Sequence, residues 1–250
     1  MTLTPWSELF GPDVTHATLV FFRVAAIISV MPGLGTPTVP VRVKLALALA
    51  LSVFVSGTAA LEMRPISVGL IASETLVGLV FGIGFRFLIF ALQTAGTIAA
   101  QSTSLSQLLG NASVEPMPAI GHILVTAGLA LMFILDLHLL WLAGIIDLYR
   151  MFPVGTVLGA ADLGMWGVAE VSQAFALAFR IAVPFLILSM MYNVTLGVIN
   201  KAMPQLMVAF VGAPLITFCG LAFLALGAPV MLSVWSAAVE GYLANPFGGR

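Results

Sequence analysis

The sequence predicts an all-α, polytopic membrane-type protein of about six long, partly kinked helices arranged in hairpins. Hydrophobic residues make up 61% of the 250 residues, charged residues only 8%, and mean hydropathy is +1.15. A water-soluble fold has too little charge here to cover itself. The apolar residues also gather into stretches that reach the about 20 residues a helix needs to cross a bilayer. Clusters rich in Pro and Gly punctuate those stretches and end helices by removing donors and loosening the backbone.

The first stretch runs from about Ala17 to Met31 and stops at Pro32-Gly33-Leu34-Gly35. No Lys or Arg precedes it, while Glu8 and Asp13 do, so it lacks the basic leader of a cleaved signal peptide and is expected to stay in the mature protein. A second stretch, Val43 to Leu61, follows a short link marked by Pro37 and Pro40, which favours an antiparallel hairpin with the first. The third starts after Pro65 and stays apolar to about Ala100, longer than a bilayer requires. Its Gly78 and Gly82 stand four apart on one helix face, a spacing that lets another helix backbone approach closely, whether inside the chain or from a partner subunit.

A polar, turn-rich segment then runs from Ser102 to Pro118, with Gly110-Asn111, Ser113, Glu115 and Pro116 interleaved with Leu105, Leu108, Leu109, Val114 and Met117. That mixture suits a loop tucked into protein or a pore, or an ordinary surface connection. The fourth stretch, Ile120 to Ile146, reads as one helix and leads to a break at Phe152-Pro153-Val154-Gly155. A fifth helix covers Met165 to Ile199 with Pro184 inside it, which is expected to kink it unless neighbours replace the lost hydrogen bond. A sixth, Met207 to about Tyr242, holds Pro214 and Pro229 and is expected to be broken.

Charges inside apolar runs carry the next inference. Arg23, Glu74, Arg86, Asp136, Glu170 and Arg180 all fall within or beside such runs. A lipid-facing Arg, Lys or Asp at mid-depth costs about 2.5–3.5 kcal/mol, so six of them would cost roughly 15–20 kcal/mol, more than a typical fold's net stability. They must be paired, hydrated or turned towards protein. Glu74 and Arg86 lie twelve residues apart, about 18 Å along one helix, and so cannot pair with each other. Each calls for a partner on another helix or subunit.

Other chemistry finds little support. Nine basic residues stand against ten acidic ones, with no basic face for nucleic acid. The single cysteine, Cys219, reads as small core. Asp136 and His138 point to opposite sides of a helix, so they form no ready metal chelate, although a proton path through Asp136, Glu170 and His138 competes with plain structural ion pairing. No nucleotide, hydrolase or zinc motif is present, and Gly33-Leu34-Gly35 and Gly82-Ile83-Gly84 lack the strand and third glycine of a dinucleotide site. The chain is therefore not expected to be an enzyme or to hold a metal or cofactor. A subunit of a membrane conduit and a small-solute secondary transporter with discontinuous helices both remain compatible with the residues.

The order of short motifs resembles the FliR family, the R component of the flagellar and type III secretion export gate. They are Arg23 with Met31-Pro32-Gly33; Val39-Pro40-Val41-Arg42; Gly96 to Gln101; Asp136-Leu137-His138; Phe152-Pro153-Val154-Gly155; and Asn193 to Gly197 followed by Met203-Pro204-Gln205-Leu206 and Phe210. Asp147 to Arg150 departs from the family's usual pattern. The resemblance implies a structural, pore-forming subunit of a hetero-oligomeric helical assembly in the bacterial inner membrane at the flagellar basal body, with P-like (FliP), Q-like (FliQ) and B-like (FlhB) subunits as partners beside membrane lipid. Unfolded export substrates would pass through it. It also implies a P-like portion over residues 1–160 and a Q-like helical hairpin over 161–250. Leu109, Gly110, Asn111, Ala112, Ser113, Val114, Glu115, Pro116 and Met117 would form a plug in a loop of about residues 105–118, and Phe210 an intersubunit or lumen contact.

Overall fold

A computed structural model describes residues 6–58, 66–103, 119–203 and 208–248. Among these the chain forms seven helices: α1 (Trp6–Val30), α2 (Val41–Thr58), α3 (Val68–Thr103), α4 (Ala119–Ile134), α5 (Leu137–Met151), α6 (Ala160–Ala202) and α7 (Val208–Ala244). The expected proline-marked link between the first two is present. α1 ends in a turn with Gly33 at φ 82°, and Thr36 Oγ1 donates to Gly33 O at 2.9 Å while Lys44 Nζ donates to Thr36 O at 2.8 Å. α2 then packs back on α1 as a hairpin.

Two expectations fail. The fourth stretch is not one helix, because the chain breaks at Asp136, which sits in the left-handed region at φ 55° and so cannot continue a right-handed helix. The result is the kinked pair α4 and α5, and hence seven helices in place of six. The sixth stretch is not broken, since α7 runs on through Pro214 and Pro229, and α6 likewise passes Pro184. A proline forfeits one backbone bond per site, and in helices this long the remaining ladder carries the helix past the gap. Among the described residues three helices are long and apolar enough to cross a membrane, over Val68–Ser102, Ala160–Ala202 and Leu215–Ala244, with the kinked pair as a fourth if it acts as one span.

The chain divides into two compact units, one made of residues up to Phe87, Leu135–Val171 and Val239 onward, the other of Leu88–Ile134 and Ser172–Ala238. In the first, α1 buries Leu19, Val20, Val24, Ile27 and Ile28. The bare backbones of Gly78 and Gly82 lie against α1, where a Cβ on Gly78 would run into Arg23 O and one on Gly82 into the Val30 side chain. The close approach is thus made within the chain. Tyr242 Oη donates to Phe81 O at 2.8 Å, in the space that Gly84 leaves by having no side chain.

The second unit repeats the device with other residues. Trp235, fully buried, donates from Nε1 to Leu88 O at 2.9 Å. Gly96 meets Gly121 backbone to backbone, and Phe185 packs edge-on against Phe223 with ring centroids 5.7 Å apart. Aromatic donors that reach the spare lone pairs of helix carbonyls satisfy polar groups where water is absent.

Candidate functional site

The most elaborate polar arrangement among the described residues lies inside the first unit, on Arg23. Both Arg23 and Glu74 are fully buried. Arg23 Nε donates to Glu74 Oε2 at 2.8 Å and Nη2 to Oε1 at 3.0 Å, a two-pronged pairing that matches the planar guanidinium to the carboxylate. The third nitrogen, Nη1, turns to the end of α5, donating to Phe152 O at 2.9 Å and lying 3.5 Å from Leu148 O. A cation is favoured there because the last carbonyls of a helix have no helical donors of their own. The Tyr149 ring closes over the guanidinium, 3.9 Å from its carbon to the ring centroid.

Glu74 serves the same turn. Its Oε1 also accepts from the backbone N–H of Gly155 at 3.0 Å, with Gly155 at φ 82°, a conformation that side-chain-bearing residues rarely adopt. Val154 is buried beside it. One ion pair therefore ties α1, α3, the last turn of α5 and the Phe152–Gly155 turn together. Phe247 extends the turn's apolar cover, stacking edge-on against Phe152 at 4.7 Å, and Trp166 Nε1 donates to Pro246 O at 3.2 Å. The arrangement holds no free nucleophile and no exposed acid or base, so it positions helices and offers no chemistry. Among the described residues no group of three or more His, Cys, Asp or Glu could hold a metal ion.

The expected site residues fall in different places. Glu74 is in the clamp just described. Arg86 is exposed near the middle of α3, Arg180 is exposed near the middle of α6, Glu170 is half-buried, and Asp136 is exposed at the break before α5. The Leu109 to Met117 segment lies outside the described residues, and Phe210 belongs to the first turn of α7 with its side chain outside them. Sequence reasoning missed Tyr149 altogether, and it named Arg23 without joining it to Glu74. Two lone opposite charges in apolar helices were the available signal. The Asp147 to Arg150 turn holds Tyr149 itself, flanked by an exposed Arg150–Asp147 ion pair at 2.8 Å.

A second feature is the amount of apolar surface left open. Only 33% of the apolar window of α6 and 22% of that of α7 is buried within the chain, against 61% for α3. Phe175, Phe179, Ile187, Met190 and Val194 stand exposed along α6, as do Phe218, Leu226 and Val230 along α7.

Comparison with known proteins agrees over nearly the whole chain. A family model described as bacterial export proteins, family 1, matches residues 14–242. The flagellar biosynthetic protein FliR of Caulobacter vibrioides is 32% identical over 232 residues, which cover 90% of this chain and 92% of that protein. The FliR proteins of Escherichia coli and Bacillus subtilis are each 27% identical, over 84% and 79% of this chain and 82% and 80% of their own lengths.

Proposed function

Because the chain belongs to family 1 of the bacterial export proteins, the FliR family, and is a membrane component of the flagellar export gate, we propose that it is a structural, pore-forming subunit there. On this reading it joins P-like, Q-like and B-like subunits in the inner membrane, and unfolded substrates cross through the channel they enclose. The observation that carries the proposal is the length and exposure of α6. Its 43 residues span about 64 Å, roughly twice the about 30 Å hydrocarbon core, and exposed apolar side chains run along it from Met165 to Ile199. Lipid can cover half of that surface. Neighbouring subunits account for the rest.

Within this proposal residues 1–160 act as the P-like portion and 161–250 as the Q-like hairpin, α6 and α7. Leu109 to Met117 plug the closed pore. Arg86, Asp136, Glu170, Arg180 and Phe210 serve contacts between subunits or buried polar contacts, while the Arg23–Glu74 clamp holds the turn that leads into the Q-like hairpin. Unbroken α6 and α7 remove the discontinuities expected there, and the family match over residues 14–242 favours the export gate over a solute transporter.

Copurification from membranes tests the assembly: tagged chain should bring down P-like and Q-like subunits, and recovery of the chain alone would refute it. Deleting Gly110 to Pro116 should leave that copurification intact while making cells leak small solutes, and an unaltered barrier would count against the plug.

A further inference from the structure

Arg180 is the only charged residue between Glu170 and Lys201 on α6, and among the described residues no hydrogen bond or ion pair engages it. It is exposed, and so are Gln173, Ala176, Val183 and Ile187. These five positions follow a spacing of seven, four, three and seven residues about Arg180, so they make one stripe along the helix. The stripe belongs wholly to the second unit.

Neither lipid placement suits this cation. If residues 171–190 lie in the hydrocarbon, Arg180 is at mid-depth, where an isolated charge is costly. If the uncharged run 181–200 is the span, Arg180 reaches the phosphate level, but Val171, Phe175 and Phe179, all exposed, then project beyond it into the polar region. A snorkelling Arg suits the headgroup level, but there an exposed run with only Ser172 and Gln173 as polar side chains would stand in the polar region, and the next charge outward is Glu170, about 15 Å away along the axis. A protein surface meets both demands, since an apolar helix covers the flanking side chains while one carboxylate matches the guanidinium. Ala176, one turn from Arg180, leaves room for such a helix to come close.

We infer that the Gln173–Ala176–Arg180–Val183–Ile187 stripe of α6 docks an apolar helix of a partner subunit that bears one Asp or Glu opposite Arg180. This rests on the assembly proposed above and adds the chemistry of the contact. The test replaces Arg180 in the full chain, expressed in its native host with the other export components. R180E should lower copurification of a partner subunit by at least about tenfold while the chain's own level in the membrane holds, R180Q should lower it less, and R180K should retain most of it. Suppressors of R180E selected for restored motility should change a carboxylate to Lys or Arg in a partner subunit. Should R180E deplete the chain itself, the R180Q copurification and the suppressor map decide. Wild-type copurification for R180E or R180Q, suppressors confined to this chain, or loss of bound anionic lipid with the partners retained would each overturn the inference. Failure of the wild-type chain to copurify with any partner would instead overturn the assembly on which it rests.

Discussion

Taking the carboxylate from Glu74 would strand a fully buried guanidinium and free the Gly155 N–H in one step. Breaking a buried ion pair from one side costs about 3–5 kcal/mol, so E74A should collapse the chain's thermal stability in detergent, whereas the paired apolar replacement R23M/E74L should cost far less. If the single and double variants melt alike, the clamp does not hold the fold. A second contrast concerns glycine. At Gly78 an added methyl meets the Arg23 carbonyl, while at Gly164 nothing lies within 4 Å. G78A should destabilise by about 1–3 kcal/mol through overpacking, and G164A should stabilise by about 0.5–1 kcal/mol through reduced chain entropy, both read from melting temperature. The sequence signals that Gly78 and Gly82 admit a neighbour, yet it cannot say that the neighbour is α1. That choice depends on which of several apolar faces meets them. Arg23 and Glu74 are legible as charges in need of partners, but their pairing spans 51 residues, and no local pattern encodes it.

The helices themselves are legible because they are apolar runs, the longest of them enough to cross a membrane, punctuated by Pro and Gly clusters. The break between α4 and α5 is different in kind. Leu135 and Leu137 flank Asp136 within an apolar stretch, and no Gly or Pro announces a left-handed residue there. Asp is one of the few residues besides Gly that visit this region, at a cost glycine does not bear. D136G should therefore be neutral or stabilising, and D136V should cost about 1–2 kcal/mol. A D136V protein as stable as the parent would show that the kink is not fixed by this residue. α7 gives the converse error, since two prolines suggested interruption where a long ladder of helical bonds absorbs them.

At the scale of the whole molecule, the candidate spans differ in how much of their apolar surface the chain itself covers, α3 the most and α6 and α7 much less. A spin label on Leu226, 83% exposed, should report this directly. With Cys219 replaced by Ala, L226C should carry a mobile label in the isolated chain in detergent and an immobilised one in the copurified assembly; equal mobility in both would mean that this flank faces lipid. The plug is read from residues 109–117, whose mixture of polar and apolar side chains suits a tucked loop and a surface connection alike. The clamp also sets an order of manufacture. Glu74 is synthesised 81 residues before Gly155, so at 5–20 residues per second one of its acceptor sites waits roughly 4–16 s for its donor. Over that interval Arg23 can already neutralise the carboxylate, but the turn into α6 cannot yet lock. The ribosome therefore delivers Arg23 and Glu74 as a provisional pair, and the arrival of Gly155 completes the clamp.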